Sequence, residues 1–262
     1  MILSNEKKFV FLHNPKAAGT AFRSAIAMHH DHPTMFWGVV HHPYVNREID
    51  LAHLRAWELP VVAPDAFAAL GDFASLVFVR DPLPRFLSAC AEHFRNFRPG
   101  DGFSKRRPET QRRLIRRLIR TDLTTAAVHG DHRYVHFSPQ RWFTHLGERR
   151  IIRHILPLRS GREDFGPAFA LLGLPPAPSE RQNRSVGADW QALVCPEILA
   201  FVHAFYRMDY EMLATEPELR SLMSPVPLPA PSPAPGLPLL RPSGLRATLR
   251  LVRDSQMGAG LH

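Results

Sequence analysis

Two stretches of this chain repeat one grammar, and together they leave few architectures open. Phe9-Val10-Phe11-Leu12 is a short, wholly apolar run that stops at the polar, Pro-bearing loop His13–Thr20, after which Phe22, Ala25 and Ile26 recur at helical spacing. Leu76-Val77-Phe78-Val79 behaves alike: it stops at Arg80-Asp81-Pro82, and Phe86, Cys90 and Phe94 follow at i, i+4 and i+8. An apolar run without polar alternation suits a strand buried on both faces, the habit of parallel sheets covered by helices. Ile151-Ile152 with Ile155-Leu156 reads as a third such strand. Val194, Ile198, Phe201, Val202, Phe205 and Tyr206 predict an amphipathic helix. Strand, loop and helix in alternation point to an α/β domain, a central parallel sheet flanked by helices, from Lys8 to about Leu213.

Composition bounds the rest. The chain has 262 residues, 45% of them hydrophobic, which excludes a fully disordered or collagen-like polymer. Eight of its 25 prolines fall between Pro225 and Pro242. Proline at nearly every second position removes backbone donors and favours extended chain, so residues 224–262 are expected to be a disordered tail beyond a domain of residues 1–223. Leu245, Leu249 and Val252 alternate there with Arg246, Arg250 and Arg253, a basic amphipathic segment suited to peripheral contact with an anionic membrane. Thirty-three Lys+Arg against 24 Asp+Glu give a net charge of +9, which suggests an anionic partner without choosing one. Two cysteines, Cys90 and Cys195, make no disulfide framework and fit a reducing compartment. No segment approaches the roughly 18 apolar residues of a membrane span, and Met1–Lys8 has the wrong order for a signal peptide. A soluble, cytoplasmic protein is expected. Gln111–Arg120 reads as a helix with Leu114, Ile115, Leu118 and Ile119 on one face and five arginines on the other, either a solvated face or a docking surface for a polyanion.

The chemistry concentrates in the two loops. His13-Asn14-Pro15-Lys16-Ala17-Ala18-Gly19-Thr20 lies between a buried strand and a helix, where backbone N–H groups and the helix dipole receive an anion. Gly19 and the two alanines permit close approach of the backbone, Thr20 adds a hydroxyl and Lys16 a mobile charge. GxxxxGK[ST] is absent, so this is no Walker A loop. Arg80 sits where the second strand runs out, placed to fork onto a second phosphate, and Ser88 lies two helical turns along.

FLHNPKAAGTAFR resembles the 5′-phosphosulfate loop, and VFVRDPLPRFLSA the 3′-phosphate loop, of sulfotransferases that use 3′-phosphoadenosine 5′-phosphosulfate (PAPS). The likeness is nearest to the carbohydrate-type group called sulfotransferase family 2. His136–Gln140 resembles that group's H-x-x-P-Q segment, and Phe205–Glu211 its closing helix. Ala17 and Ala18 replace the commoner Thr/Ser and Gly, and Cys90 stands where Tyr is usual. The resemblance implies a P-loop-like sulfotransferase fold and in-line transfer of a sulfuryl group from PAPS to a hydroxyl, where the enzyme positions the reactants and stabilises charge. Lys16 would then stabilise the leaving oxygen, with Ala17, Ala18, Gly19, Thr20 and Ala21 around the 5′-phosphate, and Arg80 and Ser88 on the 3′-phosphate. It places the general base between the two loops, which leaves His29, His30, His32, His41, His42 and His53, of which His53 stands first. A late loop, Arg181–Ser185, would bring Arg184 or Asn183 to the nucleotide.

No Cys, His and carboxylate group has metal-ligand spacing along the chain, so no metal is expected. Two rival readings stand beside the sulfotransferase. A P-loop-like kinase is opposed by the missing Walker A. A basic protein binding nucleic acid or polyanions is opposed by the lack of any recognisable nucleic-acid module, and no nucleic-acid partner is expected.

Overall fold

The two strand–loop–helix units lie side by side at the centre of the molecule. The structure is a computed structural model that describes residues 1–159, 164–176 and 190–222. The tail and the Arg181–Ser185 loop, with Arg184, lie outside the described residues. In chain order, β1 (Ile2–Ser4) turns back into β2 (Phe9–Leu12), which leads through the first loop into α1 (Gly19–Ile26). A hairpin of β3 (Val39–His42) and β4 (Arg47–Asp50) follows, then α2 (Leu59–Val62) and α3 (Pro64–Asp72). The second unit is β5 (Ala74–Val79) and the long helix α4 (Pro82–Phe97). Helices α5 (Pro108–Thr121), α6 (Thr125–Gly130) and α7 (Arg141–Thr144) lead to a small hairpin, β6 (His145–Leu146) and β7 (Arg149–Arg150), and then to β8 (His154–Pro157). After these come α8 (Gly166–Leu171), α9 (Pro196–Phe205) and α10 (Arg207–Thr215).

The main sheet has the order β1-β2-β5-β8. β2, β5 and β8 are parallel, with Phe9 beside Ala74 and Leu76 beside His154. Successive side chains point to opposite faces, and both faces are covered, which is why the strand sequences are apolar throughout. Phe9, Phe11, Leu76 and Phe78 join Phe22 and Ile26 of α1 and Phe169 of α8 on one side. Val10, Leu12, Val77 and Val79 join Leu59, Leu70, Leu213 and Leu219 on the other. Phe22 stands edge-on to both Phe11 and Phe78 at 5.0 Å, so α1 is anchored to two parallel strands at once. A third cluster, with Phe86, Cys90, Phe94, Ile115, Ile198 and Phe201, packs α4 against α5 and α9.

Three sequence expectations change. The sheet is not wholly parallel: β1 pairs antiparallel with β2, Ile2 opposite Phe11, and covers its edge. So short a run as Met1-Ile2-Leu3 carries no strand signal until its partner is in place. The strand expected over Ile151–Leu156 is confined to β8. Ile151 and Ile152 are buried ahead of it, and the Ile151 N–H donates to the Thr144 carbonyl at 2.9 Å, beside the small hairpin. The helix expected from Val194 to Tyr206 is α9 alone, Pro196–Phe205, and a separate helix follows it. Pro196 opens α9, where its missing N–H costs nothing, and Tyr206 leaves helical geometry at φ −100° before α10 begins. Its hydroxyl donates to the buried Phe137 carbonyl at 3.0 Å, which holds the break in place.

Helix α5 buries Ile115 and Leu118 as its pattern predicts. Its arginine face is partly neutralised: Arg116 and Arg120 both pair with Glu197 of α9, and Arg112 with Glu109. Cys90 is buried and Cys195 half-buried, both as free thiols. Among the described residues, no helix is long and apolar enough to cross a membrane.

Burial also sets the acid sensitivity of the fold. His145, at the start of β6 and 2.7 Å from the Thr144 hydroxyl, is pushed down from 6.5 to about 4 by burial, with Arg141 and Arg150 adding to the effect. Burial likewise lowers His93 and His129. A histidine depressed in the folded state binds its proton first in the unfolded chain, so its contribution is complete above pH 6.5 and is lost as pH falls toward the folded value. Denaturant titrations should therefore show stability falling as pH drops below about 6.5, at about 1.4 kcal/mol per pH unit for each such proton. His145→Gln should flatten the decline by about one proton; equal slopes for both proteins would contradict the assignment.

Candidate functional site

The loop after β2 is shaped by constraints on its backbone. Lys16 (φ 61°) and Ala18 (φ 50°) both hold the left-handed region, which costs a non-glycine residue roughly 1–2 kcal/mol. Gly19 is required for another reason: a Cβ there would lie 2.0 Å from the His13 ring. The loop carbonyls are held from behind. Arg85 of α4, completely buried, donates from Nε to the Pro15 carbonyl at 3.0 Å, and from Nη2 to Asn14 Oδ1 at 3.3 Å and the Ser138 carbonyl at 2.8 Å. Arg80 Nη1 donates to the Lys16 carbonyl at 3.3 Å. With these carbonyls occupied, the N–H groups of the turn and of the first turn of α1 are the polar groups left for an anion. Ala17 is buried, Ala18 and Ala21 are half-buried, and Thr20 is exposed on that first turn.

The second loop is fastened to the first by amides. Gln140 Oε1 accepts the Arg80 N–H at 2.9 Å, and its Nε2 donates to the Arg80 carbonyl at 2.7 Å. Asn14 Nδ2 donates to the Phe78 carbonyl at 2.9 Å and to Gln140 Oε1 at 3.0 Å. The buried Asp209 carboxylate accepts the N–H groups of Gln140 and Arg141, each at 2.9 Å. Asp81 caps α4 by accepting the Leu83 N–H at 2.9 Å. Ser88 is half-buried on α4. One turn further along, on the same face, Glu92 Oε2 meets Lys16 Nζ at 3.2 Å. Burial outweighs the Glu92 carboxylate and holds Lys16 below the ordinary lysine range. Burial pushes Glu92 up, but Lys16 and Arg95 bring it net below the usual carboxylate range.

On the other flank of the loop stands His53, 8% exposed. Its Nδ1 lies 2.9 Å from the His13 carbonyl. A carbonyl only accepts, so Nδ1 carries the proton and Nε2 is left as a base. The His53 ring centroid is 4.4 Å from that of His13 and 5.1 Å from that of His136. Burial lowers all three below the ordinary histidine value, and Lys16 lowers His53 and His136 further, so the cluster is neutral near pH 7. The other expected histidines are engaged elsewhere. His30 accepts the Leu3 N–H at 3.1 Å, His32 accepts that of Thr34 at 3.1 Å, and His29 packs edge-on to Phe9. His41 and His42 lie on β3 of the outer hairpin.

The fold thus brings Lys16, Gly19, Thr20, Arg80 and the Ser88 face of α4 to one place, with His53 behind His13. Several members were missed in the sequence. Arg85 is in the quoted second motif, yet an arginine between Pro84 and Phe86 carries no mark of burial. Gln140 and Asp209 fall in the two weaker stretches of resemblance, where only their types, not their partners, were visible. Glu92 and His13 had no local signal for a role, and His136 only its place at the head of the H-x-x-P-Q stretch.

Fold and site together define a class: an α/β protein in which the carboxyl ends of two adjacent parallel strands each deliver a loop with a cation. The profile of the sulfotransferase family matches residues 1–214. The chain belongs to the sulfotransferase family, in its family 2 group, and its chemistry is transfer of a sulfuryl group. No curated protein and no solved structure matches the chain.

Proposed function

We propose that the protein transfers the sulfuryl group of PAPS to a hydroxyl of a carbohydrate or glycoconjugate, without a metal, through a P-loop-like strand–loop–helix core. One observation supports this most directly: Arg80 donates to the Lys16 carbonyl while Lys16 Nζ reaches Glu92 beside Ser88. This closeness of the two loops supports one ligand for both, as a nucleotide bearing phosphates at its 5′ and 3′ positions would need. The N–H groups around Ala17, Ala18, Gly19, Thr20 and Ala21 would hold the 5′-phosphate, and Arg80 with Ser88 the 3′-phosphate. Arg184 completes the nucleotide contacts in this reading, and the site of action is cytoplasmic.

In the reaction an acceptor oxygen forms a bond to sulfur as the bond from sulfur to the 5′-phosphate oxygen breaks. Lys16 stabilises the charge on that departing oxygen. His53 Nε2 takes the acceptor proton, its ring oriented by the Nδ1–H bond to His13. Lys16 must turn from Glu92 toward the donor when PAPS binds.

Adenosine 3′,5′-bisphosphate should raise the melting temperature where ATP and DNA do not. Labelled sulfate should pass from PAPS to members of a saccharide panel. Arg80→Ala should weaken adenosine 3′,5′-bisphosphate about ten- to a hundredfold, the worth of a charge-assisted hydrogen bond of roughly 1.5–3 kcal/mol. Adenosine 5′-phosphate should be nearly unaffected, and equal weakening of both nucleotides would remove Arg80 from the 3′-phosphate.

A further inference from the structure

Asp50, His53 and His136 each offer one ligand atom, and these atoms all lie within 4.8 Å of one another. Asp50 ends β4, His53 ends the short 3-10 turn that follows, and His136 comes from a second 3-10 turn, His132–Phe137. Asp50 Oδ1 accepts the Ala52 N–H at 2.9 Å, which orients the carboxylate and leaves Oδ2. The His53 Nδ1–H is committed to the His13 carbonyl, so its lone pair is on Nε2. A ligating imidazole is ordinarily held this way, by its second nitrogen on a carbonyl.

An independent feature lies beside the set. His13 is 4% exposed, its Nδ1 has no hydrogen-bond partner, and its ring touches that of His53. A buried, unpartnered imidazole nitrogen is costly unless something binds it. Asp50 and His136 are half-buried, so the group is not sealed from solvent. The cations nearby are partly compensated: Arg47 and Arg55 share Glu58, and Lys16 pairs with Glu92. Two imidazoles and one carboxylate suit Zn²⁺, Co²⁺ or Ni²⁺ and are a poor set for Mg²⁺ or Ca²⁺, which prefer oxygen.

We propose that Asp50, His53 and His136 bind one divalent transition-metal ion of the zinc class. Coordination would occupy His53 Nε2, so the ion and the acceptor proton compete for one lone pair and the site is inhibitory; this second part rests on the role given to His53 above.

The test of the site needs neither donor nor acceptor. Full-length protein is titrated with Co²⁺ and followed by visible absorbance, then back-titrated with Zn²⁺. The expected result is one equivalent of Co²⁺ with the intense bands of low coordination number, displaced by Zn²⁺. Asp50→Asn and His136→Asn should each weaken binding at least tenfold. A retained melting shift with adenosine 3′,5′-bisphosphate confirms that the variants fold. The proposal is overturned if wild-type protein shows no stoichiometric band, or if the bands persist equally in both variants. Sulfuryl transfer should fall as Zn²⁺ saturates the site. Saturation without inhibition would overturn the role of His53 as proton acceptor and leave the ion site standing.

Discussion

Replacing Lys16 with Ala should lower the turnover of sulfuryl transfer about a hundredfold or more, with donor saturating and the fold intact. The expected effect is large because, in the proposed reaction, the ammonium stabilises charge developing on the departing oxygen. The fold should survive. Alanine meets the same left-handed backbone cost at φ 61° as lysine does. Glu92 keeps Arg95 and the Asn96 amide as partners after Lys16 is gone, so no buried carboxylate is left unpaired. Side-by-side melting curves and single-turnover rates decide the matter. A folded variant with near-normal turnover would take Lys16 out of the reaction.

Arg85→Met should destabilise the protein by about 3–5 kcal/mol, the usual cost of breaking a buried, hydrogen-bonded charged group. Methionine fills much of the volume but strips three acceptors of their donors: the Pro15 carbonyl, Asn14 Oδ1 and the Ser138 carbonyl. Those acceptors belong to the first loop and to the segment that carries Gln140, so the damage falls on the site as well as on the fold. Affinity for adenosine 3′,5′-bisphosphate should drop even in solutions where the variant remains folded. Arg85→Lys should rescue little, because a single ammonium cannot reproduce a planar fork bridging three acceptors. Chemical denaturation measures the first effect and nucleotide titration well below the midpoint the second. Unchanged stability would mean that the guanidinium is a passive passenger in the core.

The chain's local patterns carried the two strand–loop–helix units in full. Phe9–Leu12 and Leu76–Val79 are apolar at every position because both faces of the sheet are covered, and that requirement is written residue by residue. Lys16, Gly19, Arg80 and Ser88 could be singled out because they follow the ends of the two strands, where local pattern places them whatever the remaining chain does. Those same loops carried the family.

What local pattern does not encode is which distant residue supplies a partner. β1 is three residues long and becomes a strand only against Phe9–Phe11. The break at Tyr206 follows from a hydroxyl reaching the Phe137 carbonyl, which helical periodicity ignores. Glu92 reads as a surface residue of α4 until Lys16 arrives from the other loop. Asp50 and His53 share one short stretch, but His136 joins them only when the turn before Gln140 packs beside it. Periodicity reports how each residue meets the core or the solvent; the pairing of polar groups across the interior depends on packing geometry, and only the tertiary structure decided it.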